Sequence, residues 1–177
     1  ILRQIALNAQ DLLNAPAVAI WELPEGASEL HVVAWAGDIP ASLRGRRLRA
    51  DAEATRRLLR RQTSLNLPNL QEAGGYLDKE LVDDLGWRSL LTMPLEIAGQ
   101  PAGLIDVYRR DTWRAEEWQK ALLRLLARQA SVTMETVRLY QKQESDALTL
   151  KALYEVSTQL RAGLSAGETL NLITSKL

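Results

Sequence analysis

The sequence predicts an α+β fold in which helices flank a largely antiparallel sheet, with a long helix at the C-terminal end. Two pairs of β-prone segments are each separated by a short turn rich in Gly or Pro, a pattern typical of hairpins. Segments with helical spacing of apolar residues precede, separate and follow these pairs. Residues 115–162 contain neither Gly nor Pro, so a single long helix is predicted there. This order of elements indicates an α+β domain.

The first part of the chain predicts a helix followed by a hairpin. Residues 1–14 carry apolar side chains at helical spacing, and Pro16 ends this helix because the residue before a proline avoids the helical region. Residues 17–23 and 29–36 are β-prone and apolar, and residues 24–28 between them are turn-forming. They are therefore predicted to form two paired strands.

The middle of the chain is more polar. Residues 41–49 are predicted to be a loop, and Asp51 is predicted to cap a helix of about ten residues. Residues 63–67 suggest a short edge strand. Residues 77–85 read as a short helix that Gly86 closes in the left-handed conformation.

A second hairpin follows, made of residues 87–97 and 103–109 with a turn at residues 98–101. Pro94 lies inside its first strand and has no N–H to donate. We therefore expect Pro94 at an edge or beside a bulge.

The region between the two hairpins is rich in arginine. A solvated face with favourable helix ends is the preferred interpretation, and a phosphate- or nucleic-acid-binding patch is the alternative. Neither aromatic interleaving nor a nucleic-acid motif accompanies these arginines, and the net charge of the chain is zero, so we expect no nucleic-acid partner. The arginines are Arg44, Arg46, Arg47, Arg49, Arg56, Arg57, Arg60 and Arg61.

Composition excludes several kinds of chemistry. The chain has no cysteine, which rules out disulfides, thiolate metal sites and cysteine nucleophiles. His31 is the only histidine, and the sequence contains no P-loop, GxGxxG or nucleophile-elbow motif, so we expect no enzymatic activity in this segment. No apolar run reaches the length of a membrane span, and no secretory signal is visible, which favours a cytoplasmic location.

The long helix carries a heptad pattern, which predicts a homodimer through a coiled-coil seam. The first set of positions is Leu125, Val132, Leu139, Asp146, Leu153 and Leu160. The companion set is Leu122, Gln129, Thr136, Gln143, Leu150, Ser157 and Leu164. The polar layers at Gln143 and Asp146 make the seam easy to shift, because few kcal/mol separate its arrangements.

The same helix is predicted to have two parts. Residues 115–140 carry a second apolar stripe that is expected to cover the sheet, and an ordinary amphipathic helix is the alternative to a seam there. Gly163 and the capping-box spacing of residues 165–168 suggest that a following domain begins at Leu164. The second stripe consists of Trp118, Leu122, Leu126, Ala130, Val137 and Tyr140.

Four motifs in the correct order resemble the GAF family of sensory domains, over about residues 1–140. They are 88–95 (RSLLTMPL), Gly99 with 103–107 (GLIDV), 113–117 (WRAEE), and 125–130 (LLARQA) with 137–140 (VRLY). Residues 141–163 resemble a signalling-helix linker, and residues 164–177 resemble the start of a second domain of this type.

The resemblance implies a sensory, non-catalytic domain of a bacterial signalling protein. In the family, tandem domains of this kind lie upstream of effectors such as histidine kinases of two-component systems and diguanylate cyclases. The chain lacks the family's cyclic-nucleotide motif and has no cysteine for bilin attachment. Haem ligation would depend on His31 alone, and a lone strand histidine is more often structural. The cofactor therefore stays unassigned.

The resemblance also implies a small-molecule pocket against the sheet. Alternation places Leu104, Asp106 and Tyr108 on one face of the last strand. Asp106 is a carboxylate in an otherwise apolar strand, so it needs either solvent, a protein partner or a ligand. For the other candidates, core packing or turn chemistry is the alternative. The candidate ligand-binding residues are Asp106, Tyr108, Thr92, Trp21, Trp35, Tyr76 and Asn69.

Overall fold

The computed structural model describes residues 1–50, 52–61, 63–70 and 86–174. Its helices are α1 (Leu2–Leu12), α2 (Ala41–Arg44), α3 (Glu53–Arg61) and α4 (Glu117–Thr174). Its strands are β1 (Ala17–Glu22), β2 (Glu29–Gly37), β3 (Arg47–Arg49), β4 (Leu65–Leu67), β5 (Ser89–Ile97) and β6 (Gln100–Arg109).

The six strands form one sheet in the order β3-β2-β1-β6-β5-β4, and every neighbouring pair is antiparallel. The two hairpins, β1–β2 and β5–β6, meet where β1 pairs with β6. This confirms the predicted α+β fold with a largely antiparallel sheet and a long C-terminal helix.

One face of the sheet is covered by α1 and by the first part of α4. Ile5 of α1 and Leu123 of α4 belong to one apolar cluster with Val18 of β1 and with Ile105 and Val107 of β6. These side chains are almost fully removed from solvent. Each such side chain contributes about 1.5–3 kcal/mol, so this layer is a main source of stability.

The opposite face is covered by the segments between the two hairpins. Leu43 of α2, Leu48 of β3, and Leu58 and Leu59 of α3 pack in a second cluster that includes Trp21 of β1. The strands in the middle of the sheet are therefore buried on both faces. This explains why residues 17–23 read as continuously apolar instead of alternating.

The prediction of a plain loop at residues 41–49 is wrong. This segment forms α2 and then β3, which pairs with β2 through Leu30 and Leu48. Leu43 and Leu48 are buried, while Arg47 and Arg49 on either side of Leu48 are exposed. Two widely spaced leucines are enough to hold a polar segment against the sheet, because the sheet supplies their partners.

Other predictions for the middle of the chain have mixed outcomes. The edge strand is confirmed as β4, which pairs with β5. Gly86 has φ +62°, as its predicted left-handed role requires. The Asp51 cap and the helix at residues 77–85 lie outside the described residues.

Pro94 occupies the kind of position that its missing N–H requires. The last residue of β5 to pair with β4 is Thr92, so within the described chain no strand pairs with Pro94 on that side. A register shift follows between Leu95 and Glu96. The prediction for Pro94 is therefore confirmed.

The predicted sheet-covering stripe of the long helix is partly wrong. Leu126 and Ala130 are buried as expected, but Trp118, Val137 and Tyr140 are exposed. The helix carries more than one apolar stripe. The stripe that packs against the sheet contains Met134 and no aromatic side chain. The stripe that covers the sheet is Leu123, Leu126, Ala127, Ala130 and Met134.

The chain divides into two units, residues 1–135 and residues 136–177. The first unit contains the sheet. In the second unit, α4 continues through Gly163 to Thr174, so the expected interruption of the helix at Gly163 is wrong. A single glycine costs about 1 kcal/mol in a helix and need not end it. The domain boundary expected at Leu164 stays a prediction.

We expect Gly103→Ala to lower the free energy of unfolding by about 3 kcal/mol, because overpacking has costs of this size. Gly103 lies in β6, and a Cβ there would collide with the backbone carbonyl of Trp21 in β1. Urea denaturation followed by tryptophan fluorescence measures the change.

Gly45→Ala is the matched control for Gly103→Ala. A Cβ at Gly45 would lie 3.7 Å from the nearest atom, the carbonyl oxygen of Ala41, which is an ordinary contact. Equal urea midpoints for the two variants would contradict the close packing of β1 against β6.

Candidate functional site

A buried carboxylate lies at the centre of the sheet. Asp106, in the middle of β6, is fully buried, and its register partners are Ala19 of β1 and Thr92 of β5. The hydroxyl of Tyr108 donates a hydrogen bond of 2.7 Å to Oδ2 of Asp106. Burial of a carboxylate is costly unless hydrogen bonds compensate for lost water, so Tyr108 has a direct role in holding Asp106.

The Tyr108 ring is fixed by an aromatic neighbour. Trp87 stacks on Tyr108 with 4.0 Å between ring centroids and 16° between ring planes, and both side chains are buried. The backbone N–H of Arg88 donates to the carbonyl of Arg109, which extends the β5–β6 pairing toward Trp87. The stacked ring holds the Tyr108 hydroxyl in position to reach Asp106.

Two further buried polar atoms adjoin this pair on the same face. Thr92 Oγ1 and Trp21 Nε1 have no hydrogen-bond partner in the described part of the chain. Thr92 is directly opposite Asp106. Trp21 is opposite Leu104, which precedes Asp106 by two residues in β6 and lies on the same face. Each missing hydrogen bond costs about 1–3 kcal/mol. We refer to Trp21, Thr92, Asp106 and Tyr108 as the sheet-centre site.

Helix α3 lies over this part of the sheet. It contacts β5 and β6, and its Thr55, Leu58 and Leu59 side chains are buried. Its Arg56 and Arg60 side chains are exposed. The helix therefore turns an apolar side to the sheet and a basic side to solvent, in agreement with the solvated-face interpretation of these arginines.

Of the other predicted ligand-binding residues, the structure describes Trp35 and Asn69. Trp35 is on β2, opposite Ala19, and is 37% exposed. The guanidinium carbon of Arg44 lies 5.0 Å from the centroid of the Trp35 ring. Asn69 is half-buried after β4, and Tyr76 lies outside the described residues.

Sequence reasoning missed Asn66, which connects three parts of the chain. Its side-chain nitrogen donates to the carbonyl of Leu90 at 3.1 Å and to that of Trp113 at 3.3 Å. Its side-chain oxygen accepts from the backbone N–H of Ala115 at 2.8 Å. Asn66 thus joins β4 and β5 to the segment that leads into α4. In the sequence, the signal for such a role was a polar residue between Leu65 and Leu67 in a predicted strand.

Arg109 stabilises the same segment from the other side. Its guanidinium pairs with Asp111 at 3.0 Å and lies 5.1 Å from the centroid of the Trp113 ring. The hydrogen bond from Arg109 lowers the pKa of the Asp111 carboxyl below its ordinary value. Because the folded-state pKa is lowered, this pair stabilises the fold above the ordinary pKa and stops doing so as pH falls through the lowered pKa.

Of the predicted seam positions of α4 whose side chains the structure describes, Leu122 packs against the core and the others lie on the solvent side of the helix. Leu125 is 64% exposed and Val132 is 62% exposed, although the neighbouring Leu126 is buried. Further along the helix, exposed positions include Leu139, Gln143, Asp146, Leu150 and Leu153. The side chain of Leu160 is outside the described set. The first unit therefore buries one stripe of α4 and leaves the heptad stripe uncovered.

The fold and the sheet-centre site together define an α+β domain with helices on both sheet faces and a buried polar group on the face that α3 covers. The family model for the GAF domain matches residues 1–134, and the chain belongs to this family. GAF domains of this kind are sensory domains of signalling proteins. The four motifs therefore identified the family correctly.

Solved structures show the same fold at low sequence identity. The GAF domain of a phosphoenolpyruvate-protein phosphotransferase from Coxiella burnetii has a TM-score of 0.68 and 16% identity, covering 80% of this chain and 84% of that one. The second GAF domain of DevS from Mycobacterium smegmatis has a TM-score of 0.62 and 21% identity, covering 80% and 96%. No curated protein sequence matches the chain.

A third similar structure is the domain of a putative two-component sensor histidine kinase from Sinorhizobium meliloti. It has a TM-score of 0.64 and 18% identity, and the match covers 80% of this chain and 93% of that one. Identities this low support the fold alone. Among the described residues, no helix combines the length and the apolar character that a membrane span requires.

We expect Asn66→Ala to lower the free energy of unfolding by about 2–3 kcal/mol, because three buried or half-buried backbone groups lose their partner. The amide hydrogen of Ala115 should also exchange faster with solvent. Urea denaturation and amide exchange by NMR measure the two effects.

Gln4→Ala is the control, since it removes an exposed side-chain hydrogen bond between Gln4 and Asn8 within one helix. Such pairs contribute only about 0.2–0.5 kcal/mol. An Asn66→Ala protein that is as stable as the control and has unchanged Ala115 exchange would show that the Asn66 contacts contribute nothing to stability.

Proposed function

We propose that this segment is a non-catalytic sensory and regulatory domain that binds a small polar molecule at the sheet-centre site and acts as a homodimer. The observation that carries this proposal is the pair of buried atoms, Thr92 Oγ1 and Trp21 Nε1, without a partner in the described chain. Proteins seldom leave such atoms unsatisfied, and a bound ligand would supply the missing hydrogen bonds.

The polar atoms limit what the ligand can be. The Trp21 indole N–H can only donate, so the ligand must offer an acceptor to it. The Thr92 hydroxyl can either donate or accept, and the Asp106 carboxylate accepts. A compact molecule with at least one acceptor and one donor group satisfies all three residues. We assign Asp106 a binding role because its carboxylate lies on the same sheet face as Trp21 and directly opposite Thr92.

Because side chains of β6 alternate between the two sheet faces, the site and the apolar layer beneath α4 share this strand. Asp106 points toward the ligand face, whereas Ile105 and Val107 on either side of it belong to the cluster under α4. A ligand that moves Asp106 also moves these two side chains, and they pack in the same layer as Leu123 and Ala127. Close-packed layers transmit such shifts because they have no free volume to absorb them.

The exposed heptad stripe of α4 supports the homodimer. Leu125, Val132 and Leu139 would pack against the same residues of a second copy, as knobs in holes. The polar positions Gln143 and Asp146 would form weak layers in this seam. Few kcal/mol would then separate two arrangements of the helix pair, which is what a reversible relay requires.

The remaining assignments rest on the family. We propose that the segment is cytoplasmic, belongs to a bacterial protein, and passes its state to a downstream effector domain of the same chain. The similarity to a domain of a putative two-component sensor histidine kinase supports a kinase, and a diguanylate cyclase is the other candidate. The cofactor stays unassigned.

A purely structural dimerisation module is the alternative function. The hydrogen bond between Tyr108 and Asp106 favours it, because the protein satisfies part of the buried carboxylate with its own side chain. In that case the sheet-centre site would contribute only to the stability and the specificity of the fold.

We expect Thr92→Val to raise the free energy of unfolding of the ligand-free protein by about 1 kcal/mol, because valine keeps the shape and removes an unsatisfied hydroxyl. In thermal unfolding with a panel of small polar metabolites, a true ligand should stabilise the wild type and have a weaker effect on Thr92→Val.

Trp118→Phe is the control, since Trp118 is 55% exposed at the start of α4 and is not part of the sheet-centre site. A ligand whose effect is lost in the control but kept in Thr92→Val would bind elsewhere. A panel in which no compound stabilises the wild type would favour the structural module.

We expect Leu139→Asp to weaken the homodimer at least about 100-fold, since it places a charge pair in the seam and removes a buried leucine worth about 1.5–3 kcal/mol. Leu148→Asp is the control, because Leu148 is 64% exposed but lies outside the heptad sets. Sedimentation velocity measures both. Two variants with equal dimer content would exclude this seam.

A further inference from the structure

A groove of about 480 Å³ lies between the end of β5 and α4, on the sheet face opposite the sheet-centre site. It lies beside the part of β5 that follows Thr92, the last residue of β5 that pairs with β4. Beyond that point, the backbone N–H of Glu96 donates to the hydroxyl of Ser131 in α4 at 3.0 Å. The strand and the helix are thus joined at one end of an open gap. Its volume falls within the range of small-molecule sites.

Two arginines of α4 line this groove. Arg124 and Arg128 are four residues apart, so they lie on the same side of the helix, and both are exposed. In the part of the chain that the structure describes, neither has an ion pair or a hydrogen bond from its side chain. Arg124 does interact electrostatically with Glu117, whose pKa is lowered first by the hydrogen bond from Lys120 and also by the charge of Arg124. Like charges at this spacing repel each other, and a bound anion would relieve the repulsion.

The other lining groups narrow the class of anion. Glu96 also lines the groove, so the three charged side chains sum to a single positive charge. That balance suits an anion with one charge and disfavours a doubly charged phosphate. Val132, which is 62% exposed, supplies most of the apolar wall, while Met93 and Ala127 line the groove but are almost fully buried. The groove therefore combines a single positive charge, which matches one carboxylate, with an apolar surface for the rest of the ligand.

We propose that this groove is a second binding site, which takes a small organic monocarboxylate with an apolar body, such as an aromatic or branched-chain acid. The carboxylate accepts hydrogen bonds from the Arg124 and Arg128 guanidinium groups, with the Ser131 hydroxyl nearby. The apolar body lies against Met93, Ala127 and Val132. This site does not depend on a ligand at the sheet-centre site.

The position of the groove gives its ligand a direct contact with the helix. Val132 lines the groove and is also a position of the heptad stripe. A bound acid would therefore touch α4 beside the seam, without the intervening layer of Ile105 and Val107 that a ligand at the sheet-centre site would need.

The two methionines of the chain provide the test. Both side chains are almost fully buried, but Met93 lines the groove and Met134 does not. The full chain, labelled with ¹³C at the methionine methyl groups, is titrated with sodium benzoate and followed by NMR. Met134→Leu assigns the two signals. We expect a saturable shift of the Met93 signal with a dissociation constant of about 1 mM.

Matched variants separate a specific site from general charge. Arg124→Gln with Arg128→Gln should weaken benzoate binding at least about tenfold. Arg56→Gln with Arg60→Gln removes the same charge from the exposed side of α3 and should leave binding unchanged. Equal weakening by both double variants would overturn the proposal in favour of bulk attraction.

Two further probes complete the design. Benzamide, which is neutral and of the same shape, should bind at least about tenfold more weakly than benzoate. Inorganic phosphate should not displace benzoate at equal concentration. Benzamide binding as tight as that of benzoate, tighter phosphate binding, or an unmoved Met93 signal at about 10 mM benzoate would each overturn the proposal.

Discussion

The structure depends on the burial of β6 on both of its faces. On one face, Asp106 needs hydrogen bonds because water cannot reach it, and the Tyr108 hydroxyl supplies one. On the other face, Ile105 and Val107 carry the apolar layer beneath α1 and α4. A strand in this position cannot shift without disturbing both layers. The hydrogen bonding of Asp106 and the packing beneath α4 therefore depend on the same four consecutive residues, Ile105 to Tyr108.

The segment between β6 and α4 is held by side chains that bond to backbone. Asn66 bonds to Leu90, Trp113 and Ala115, and the Ser89 hydroxyl donates to the carbonyl of Asp111 at 2.7 Å. These contacts come from β4 and β5, which lie beside the sheet-centre site. Because backbone groups left without partners are costly, the start of α4 has little freedom to move independently of the sheet. The start of α4 and the β4–β5 edge of the sheet are therefore held together within the first unit.

The sequence predicted the parts of the fold that local patterns determine. The hairpins follow from turn residues between apolar runs, and the shared face of Leu104, Asp106 and Tyr108 follows from strand alternation. Residues 41–49 could not be predicted, because Leu43 and Leu48 form structure only against a sheet distant in sequence. Asn66 was missed for the same reason, since its partners are 24 to 49 residues away. The roles of the site residues depend on a ligand, and no pattern within the chain contains that information.

Helix α4 illustrates why periodicity alone does not assign a helix face. Its sequence offers a heptad stripe through Leu125 and Val132 and a second stripe through Leu126 and Ala130, one residue apart. The sheet buries the second stripe and leaves the first exposed. Uncovered leucines at regular spacing are unfavourable for an isolated chain, and the proposed homodimer would cover them. In that homodimer, α4 would pack on its own sheet with one stripe and on the partner with the next. A small rotation of the helix would then alter the proposed seam, because both stripes belong to the same helix.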